Sequence, residues 1–151
     1  MLADLRQKEG DFRKAESLYR EALFRVQDTK SPDPELLLGI HSLLAYLYDR
    51  WGLMERAAEF YEKALAIAES RGLQRSDKVA TIKNNLAMIY KAMRDTDKAE
   101  RYYQEALDGF QRIDGDRSPR VASVFNNLGV LYYATMDVER AQEMHERALN
   151  I

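Results

Sequence analysis

One residue pattern recurs at a fixed interval along nearly the whole chain. Ala15, Ala57, Ala99 and Ala141 stand 42 positions apart, and Ala22, Ala64, Ala106 and Ala148 follow them by seven. Leu23, Leu65, Leu107 and Leu149 keep the same register, with Tyr19, Tyr61, Tyr103 and His145 between the two alanine series. Tyr48, Tyr90 and Tyr132 repeat at that interval too, as do Asn85 and Asn127. A period held without slippage over three intervals constrains the fold more than any other feature. Each unit must be one supersecondary element that buries its apolar face against its neighbours.

Each unit divides into two helical patterns. In the first, Ile40, Leu44, Leu47 and Tyr48 share one face, matched by Ile82, Leu86, Ile89 and Tyr90 and by Val124, Leu128, Leu131 and Tyr132. The second reads RKAESLYREAL, ERAAEFYEKAL, DKAERYYQEAL and ERAQEMHERAL. Its alanines permit close helix–helix approach, and the larger neighbours fill the remaining space. Asp33-Pro34 and Ser118-Pro119 pair a capping side chain with proline at the first helical position. Ser76 caps the equivalent helix, and Asp11, Asp95 and Asp137 cap second helices. Gly52 supplies a tight turn. Arg94 and Met136 stand where that glycine stands, so their turns need another solution.

This register, with Leu-Gly or Leu-Ala and then Tyr upstream, resembles the tetratricopeptide repeat. The usual unit is about 34 residues. The 42-residue unit, with NNLA at 84–87, NNLG at 126–129 and the lead-in GDRSPRVA, is similar to the longer variant of kinesin light chains and their bacterial relatives. The resemblance implies an all-α, right-handed superhelical solenoid of antiparallel helix pairs. Residues 1–151 form a single array: a partial repeat at 1–30, then repeats at 31–72, 73–114 and 115–151. Only about Met1 to Gln7 remains of the first helix of unit one, and no polar capping repeat closes the other end. The expectation is a piece of a longer array, with Val138, Met144 and Leu149 near an uncovered face.

In the family that the sequence resembles, first helices line a concave groove where peptides bind. Carried over residue by residue, the groove set is Thr81, Asn84, Asn85, Met88 and Lys91 in unit three. In unit four it is Ser123, Asn126, Asn127, Val130 and Tyr133. Ser42, Leu43, Tyr46, Asp49 and Arg50 supply it in unit two, and Asp4, Gln7 and Lys8 continue it in unit one. Residues three and four apart share a helix face, so the spacing fits one stripe. Asparagine is a poor helix former, yet two adjoin in each of two units. An amide offers a donor and an acceptor and can hold a peptide main chain whatever its side chains. The competing role is a hydrogen bond to a neighbouring helix that only stabilises the stack. Adjacent helical positions diverge by about 100°, which favours Asn85 and Asn127 for the groove over Asn84 and Asn126. The basic groups of a carboxylate clamp for chaperone tails are missing at Ser42, Tyr46, Ser123 and Asn127. Lys91 and Arg50 remain as partners for an acidic ligand group.

Other chemistry finds little support. Net charge is -2 with signs interspersed, so neither a nucleic-acid footprint nor a polybasic membrane patch is present. No apolar run approaches the roughly 18 residues that span a bilayer, and the N-terminal stretch has no secretory pattern. The chain contains no cysteine, which excludes thiolate sites and fits a reducing, cytoplasmic setting. No HExxH, Gly-rich phosphate loop or Gly-x-Ser-x-Gly element occurs. His41 and His145 are far apart in sequence: His41 is expected to be partly exposed between helices, His145 to pack at the array end. Trp51 is expected at the core edge. The sequence thus points to a non-catalytic scaffold, with no cofactor or metal, that binds a protein or peptide. The alternatives are an assembly element that self-associates through open ends and a regulatory module of a larger signalling protein.

Overall fold

The computed structural model describes residues 2–151, with side chains from residue 8 onward. Asp4 and Gln7, placed on the groove stripe by register, lie outside the described side chains. The helices are α1 (Leu2–Gln27), α2 (Pro34–Trp51), α3 (Met54–Ser70), α4 (Asp77–Ala92), α5 (Thr96–Asp114), α6 (Pro119–Ala134) and α7 (Val138–Leu149). No strand occurs among the described residues. The helices form two compact units, the first ending at Leu73 and the second running from Gln74 to Ile151.

Helix starts follow from local chemistry. The Asp33 carboxylate accepts from the Glu35 amide at 2.9 Å, ahead of Pro34. The Ser76 and Ser118 hydroxyls accept from the amides of Val79 (3.3 Å) and Val121 (3.2 Å). Asp95 and Asp137 do the same for Lys98 and Arg140, each at 3.1 Å. These bonds satisfy amides that a helix leaves unpaired in its first turn. The turns between paired helices share one solution. Gly52, Arg94 and Met136 all take positive φ, at 83°, 64° and 65°. Each turn closes with a backbone bond to a tyrosine carbonyl: Leu53 to Tyr48, Asp95 to Tyr90 and Asp137 to Tyr132. The left-handed residue lets the chain reverse while the last carbonyls stay paired.

The expected start of a second helix at Asp11 is not present: α1 runs straight through it. Gly10 holds the register of Gly52 but is not among the glycines with positive φ. Glycine inside a helix costs only about 1 kcal/mol, and the Arg13–Glu9 ion pair at 2.7 Å spans the position. Asp11 is therefore an exposed helix residue and not a cap.

In the first unit α2 packs between α1 and α3. Leu38, Leu44, Tyr48, Tyr61 and Ala64 fill its core. The Tyr48 hydroxyl donates to Glu16 Oε1 at 2.6 Å and accepts from Arg20 at 2.8 Å. His41 corrects a second expectation, since it is 5% exposed. Its ring centroid lies 6.0 Å from that of Phe60, and its Nδ1 donates to the Leu37 carbonyl at 2.8 Å. The polar atom is satisfied inside its own helix, so burial carries little penalty. Trp51 is half-buried at the end of α2 and stacks on Phe12 with centroids 5.5 Å apart.

In the second unit the pairs α4–α5 and α6–α7 are joined by α5 against α6, and α4 also touches α6. Gly109 lets α5 approach closely: a Cβ there would stand 2.8 Å from the Ala80 Cβ. Tyr132 donates to Glu100 at 2.6 Å, linking α6 back to α5. Arg120 joins Asp114, through its Nε at 2.6 Å, to Asp77. Met144 is buried, unlike its expected place near an open face, whereas Val138 and Leu149 are exposed.

Candidate functional site

On α4, Thr81, Asn84, Met88 and Lys91 are spaced three, four and three residues apart, which stacks them along one face. On α6 the same register holds Ser123, Asn126, Asn127, Val130 and Tyr133. Both helices belong to the second unit and touch. The apolar members stand out in solvent: Met88 is 46% exposed, Val130 48% and Tyr133 68%. Thr81, Ser123 and Asn126 are exposed, while Asn84, Asn85, Lys91 and Asn127 are half-buried.

The amides that meet are Asn84 and Asn127. Asn127 Nδ2 donates to Asn84 Oδ1 at 3.4 Å, bonding the second asparagine of one repeat to the first of the preceding one. Asn84 Nδ2 also lies 4.0 Å from the Met88 sulfur. Asn126 turns the other way, and its Oδ1 is 3.1 Å from His145 Nδ1 on α7. The Thr81 hydroxyl donates back to the Asp77 carbonyl at 3.1 Å.

His145 is the site residue that sequence reasoning missed. Its ring is half-buried, and its Nδ1 meets the Asn126 amide. Its room comes from Gly129, where a Cβ would stand 2.7 Å from ring atoms Cε1 and Nε2. The signal lay in the register: Gly129 replaces Ala45 and Ala87, and His145 replaces Tyr61 and Tyr103. Two departures in one repeat, facing each other, mark a compensated change. The equivalent Tyr103 is fully buried, and its hydroxyl finds no protein partner. Burial pushes that hydroxyl up to about 12 from its ordinary 10.0.

The members in the first unit lie on α2. Leu43 and Tyr46 are exposed apolar side chains, Arg50 is exposed and Asp49 is half-buried. Ser42 occupies the register of Asn84, but its hydroxyl donates to the Leu38 carbonyl at 2.8 Å. Arg50, Lys8, Phe12 and Trp51 line a cleft of about 630 Å³. A separate cleft in the second unit, of about 290 Å³, is lined by Arg75, Lys83, Glu105, Asp108 and Arg112 and contains no candidate residue. Among the described residues no cluster of three His, Cys, Asp or Glu side chains is arranged to hold a metal ion. No described helix is long and apolar enough to cross a membrane.

Comparison with known proteins agrees with the helical-repeat fold. A family model described as tetratricopeptide repeat matches residues 1–70 and 78–151. The crystal structure of BtubC (BKLC) from P. vanneervenii is 72% identical and superposes with a TM-score of 0.91. That match covers 99% of this chain, which spans 59% of the BtubC chain. The crystal structure of nearly identical repeats of kinesin light chain type from Podosopora anserina is 21% identical, with a TM-score of 0.79. It covers 99% of this chain and 71% of its own, and at that identity it speaks for the fold alone. No curated protein sequence matches the chain.

Proposed function

The chain belongs to the tetratricopeptide repeat family, in its kinesin light chain-like form, and from that premise we propose that its α4–α6 face binds a segment of a protein partner. Domains of this family are generally protein-interaction scaffolds and typically non-catalytic. One observation carries the finer reading: exposed Met88, Val130 and Tyr133 alternate with the Asn84–Asn127 amides on adjoining helices. Apolar side chains supply contact area and amides supply main-chain hydrogen bonds, the combination by which grooves hold peptides. In the first unit, Tyr46, Asp49 and Arg50 on α2 are a candidate set of their own. Lys91 has no ion pair among the described residues and complements an acidic group on the segment.

A peptide array probed with the wild-type protein and with the Asn84→Ala, Asn127→Ala double variant tests the reading. The expected result is loss of bound spots for a variant whose circular dichroism is unchanged. Equal binding by the folded variant would remove the groove from consideration.

A second reading has its own observation. Val138 and Leu149 on α7 are exposed apolar side chains, and the second reading we propose is self-association through them. Light scattering over a concentration series should show mass rising for the wild type and staying monomeric for Leu149→Glu. A strict wild-type monomer at the highest concentration argues against assembly.

A further inference from the structure

We propose that the cleft between α4 and α5 is a binding site for a small acidic amino acid, its two carboxylates held by Arg75 and Arg112 and its ammonium group by Asp108. The cleft lies within the second unit, has a volume of about 290 Å³ and carries none of the residues assigned to the α4–α6 face. Val79, Ala80 and Gly109 form its buried lining. Gly109 stands in the register of Ile67 and Ile151, and Ala80 in that of Leu38. Branched side chains of other repeats are reduced here to a hydrogen and a methyl group. Position 83 departs in the same repeat. His41 and Phe125 bury rings in that register. Lys83 is instead half-buried and bonds Glu105 Oε2 at 2.7 Å. Glu105 in turn replaces Lys63 and Arg147. One repeat has thus exchanged apolar bulk for a recess with a polar wall.

The other charges at the cleft are uncommitted. Arg75, Asp108 and Arg112 line it, are exposed, and make no ion pair among the described residues. Asp108 and Arg112 stand four apart on α5, in the order that closes as Glu143–Arg147 on α7 at 2.9 Å, yet they stay open. They replace Ala66 and Ser70 of the preceding repeat, so the pair belongs to this cleft and not to the repeat pattern. Glu105 neutralises Lys83, which leaves two guanidinium groups and one carboxylate. A ligand that matches them carries two anionic groups and one cationic group. Guanidinium groups take carboxylates through two parallel hydrogen bonds, which selects carboxylates for the anionic groups. The volume falls at the small end of small-molecule sites, too little for a peptide segment. The apolar lining suits a short run of methylenes. An amino acid with an acidic side chain has each of these features.

The test titrates L-glutamate and L-aspartate into the wild-type protein by calorimetry at low salt, where pairing of exposed charges is least screened. Saturable one-to-one binding of at least one of them is expected. Glutarate lacks the ammonium group and L-glutamine the second carboxylate, so each should bind about tenfold or more weakly than L-glutamate. Arg112→Ser puts the residue of the preceding repeat at this position and should cost a similar factor, with Tm unchanged because the side chain is exposed. Asp108→Asn should weaken L-glutamate while leaving glutarate equal or tighter, a crossing that a merely structural role would not produce. No saturable binding of either amino acid would overturn the proposal. So would undiminished binding by the folded Arg75→Ser, Arg112→Ser double variant. Inorganic phosphate bound as tightly as L-glutamate would reduce the site to a general cation patch and overturn the assignment of Asp108.

Discussion

Arg94 and Met136 adopt a backbone conformation that ordinarily belongs to glycine. Left-handed φ strains a residue with a Cβ by roughly 1–2 kcal/mol, partly offset by the greater unfolded-state freedom that glycine brings. Arg94→Gly and Met136→Gly should therefore each stabilise the protein by about 1 kcal/mol in urea unfolding. No gain in midpoint would mean that the turns relax by another route. Tyr103 makes a different point. Its hydroxyl is buried without a protein partner, and its folded-state value is raised from 10.0 to about 12. The folded state keeps that proton where the unfolded chain has lost it. The contribution is complete below pH 10 and is lost as pH rises towards 12. Tyr103→Phe should leave Tm at pH 7 equal or higher and flatten its fall over that alkaline range. The caps at Asp33, Ser76 and Ser118 were legible in the sequence because capping is local. The Asn84–Asn127 and His145–Asn126 bonds were not, since each joins side chains on different helices whose rotation the register leaves open.

At the scale of the element, the helix pairs depend on close approach. Gly109 shows which of two effects wins. Helix propensity alone favours Gly109→Ala by about 1 kcal/mol. The added Cβ would stand 2.8 Å from the Ala80 Cβ, which is attached to backbone and cannot swing aside. Overpacking of this kind costs about 1–3 kcal/mol. The expected result is net destabilisation, seen as a lower Tm; a raised Tm would show that α4 and α5 can separate freely. Gly129→Ala should not behave in this way, because there the obstacle is a movable ring. The apolar face of each first helix was readable from its spacing, and Leu44, Leu86 and Leu128 are fully buried. The cap at Asp11 was misread because a capping side chain starts a helix only where the residues before it stop favouring one.

Over the whole molecule, ion pairs set the acid limit of stability. Arg120 beside Asp114 holds that carboxylate below its ordinary 3.8, and Arg140 does so for Asp137. The Tyr48 hydroxyl, followed by Arg20, lowers Glu16 below 4.5. For groups depressed in the folded state, the stabilisation is present above the ordinary values and is lost as pH falls through the folded ones. Tm should therefore hold near neutrality and drop below about pH 4, and Arg120→Ala should make that drop shallower. An unchanged acid profile in Arg120→Ala would show that this node does not contribute. The repeat was legible at this scale because one 42-residue register recurs along the chain. What the face binds was less legible, since one fold serves many partners. The central claim is that the α4–α6 face holds a peptide. It is tested most directly by titrating a library-selected peptide into 15N-labelled protein and mapping amide shifts. The account predicts shifts centred on residues 81–91 and 123–133, with side-chain amide shifts for Asn84, Asn126 and Asn127. Shifts confined to α7 or to the Arg75–Arg112 cleft would contradict it.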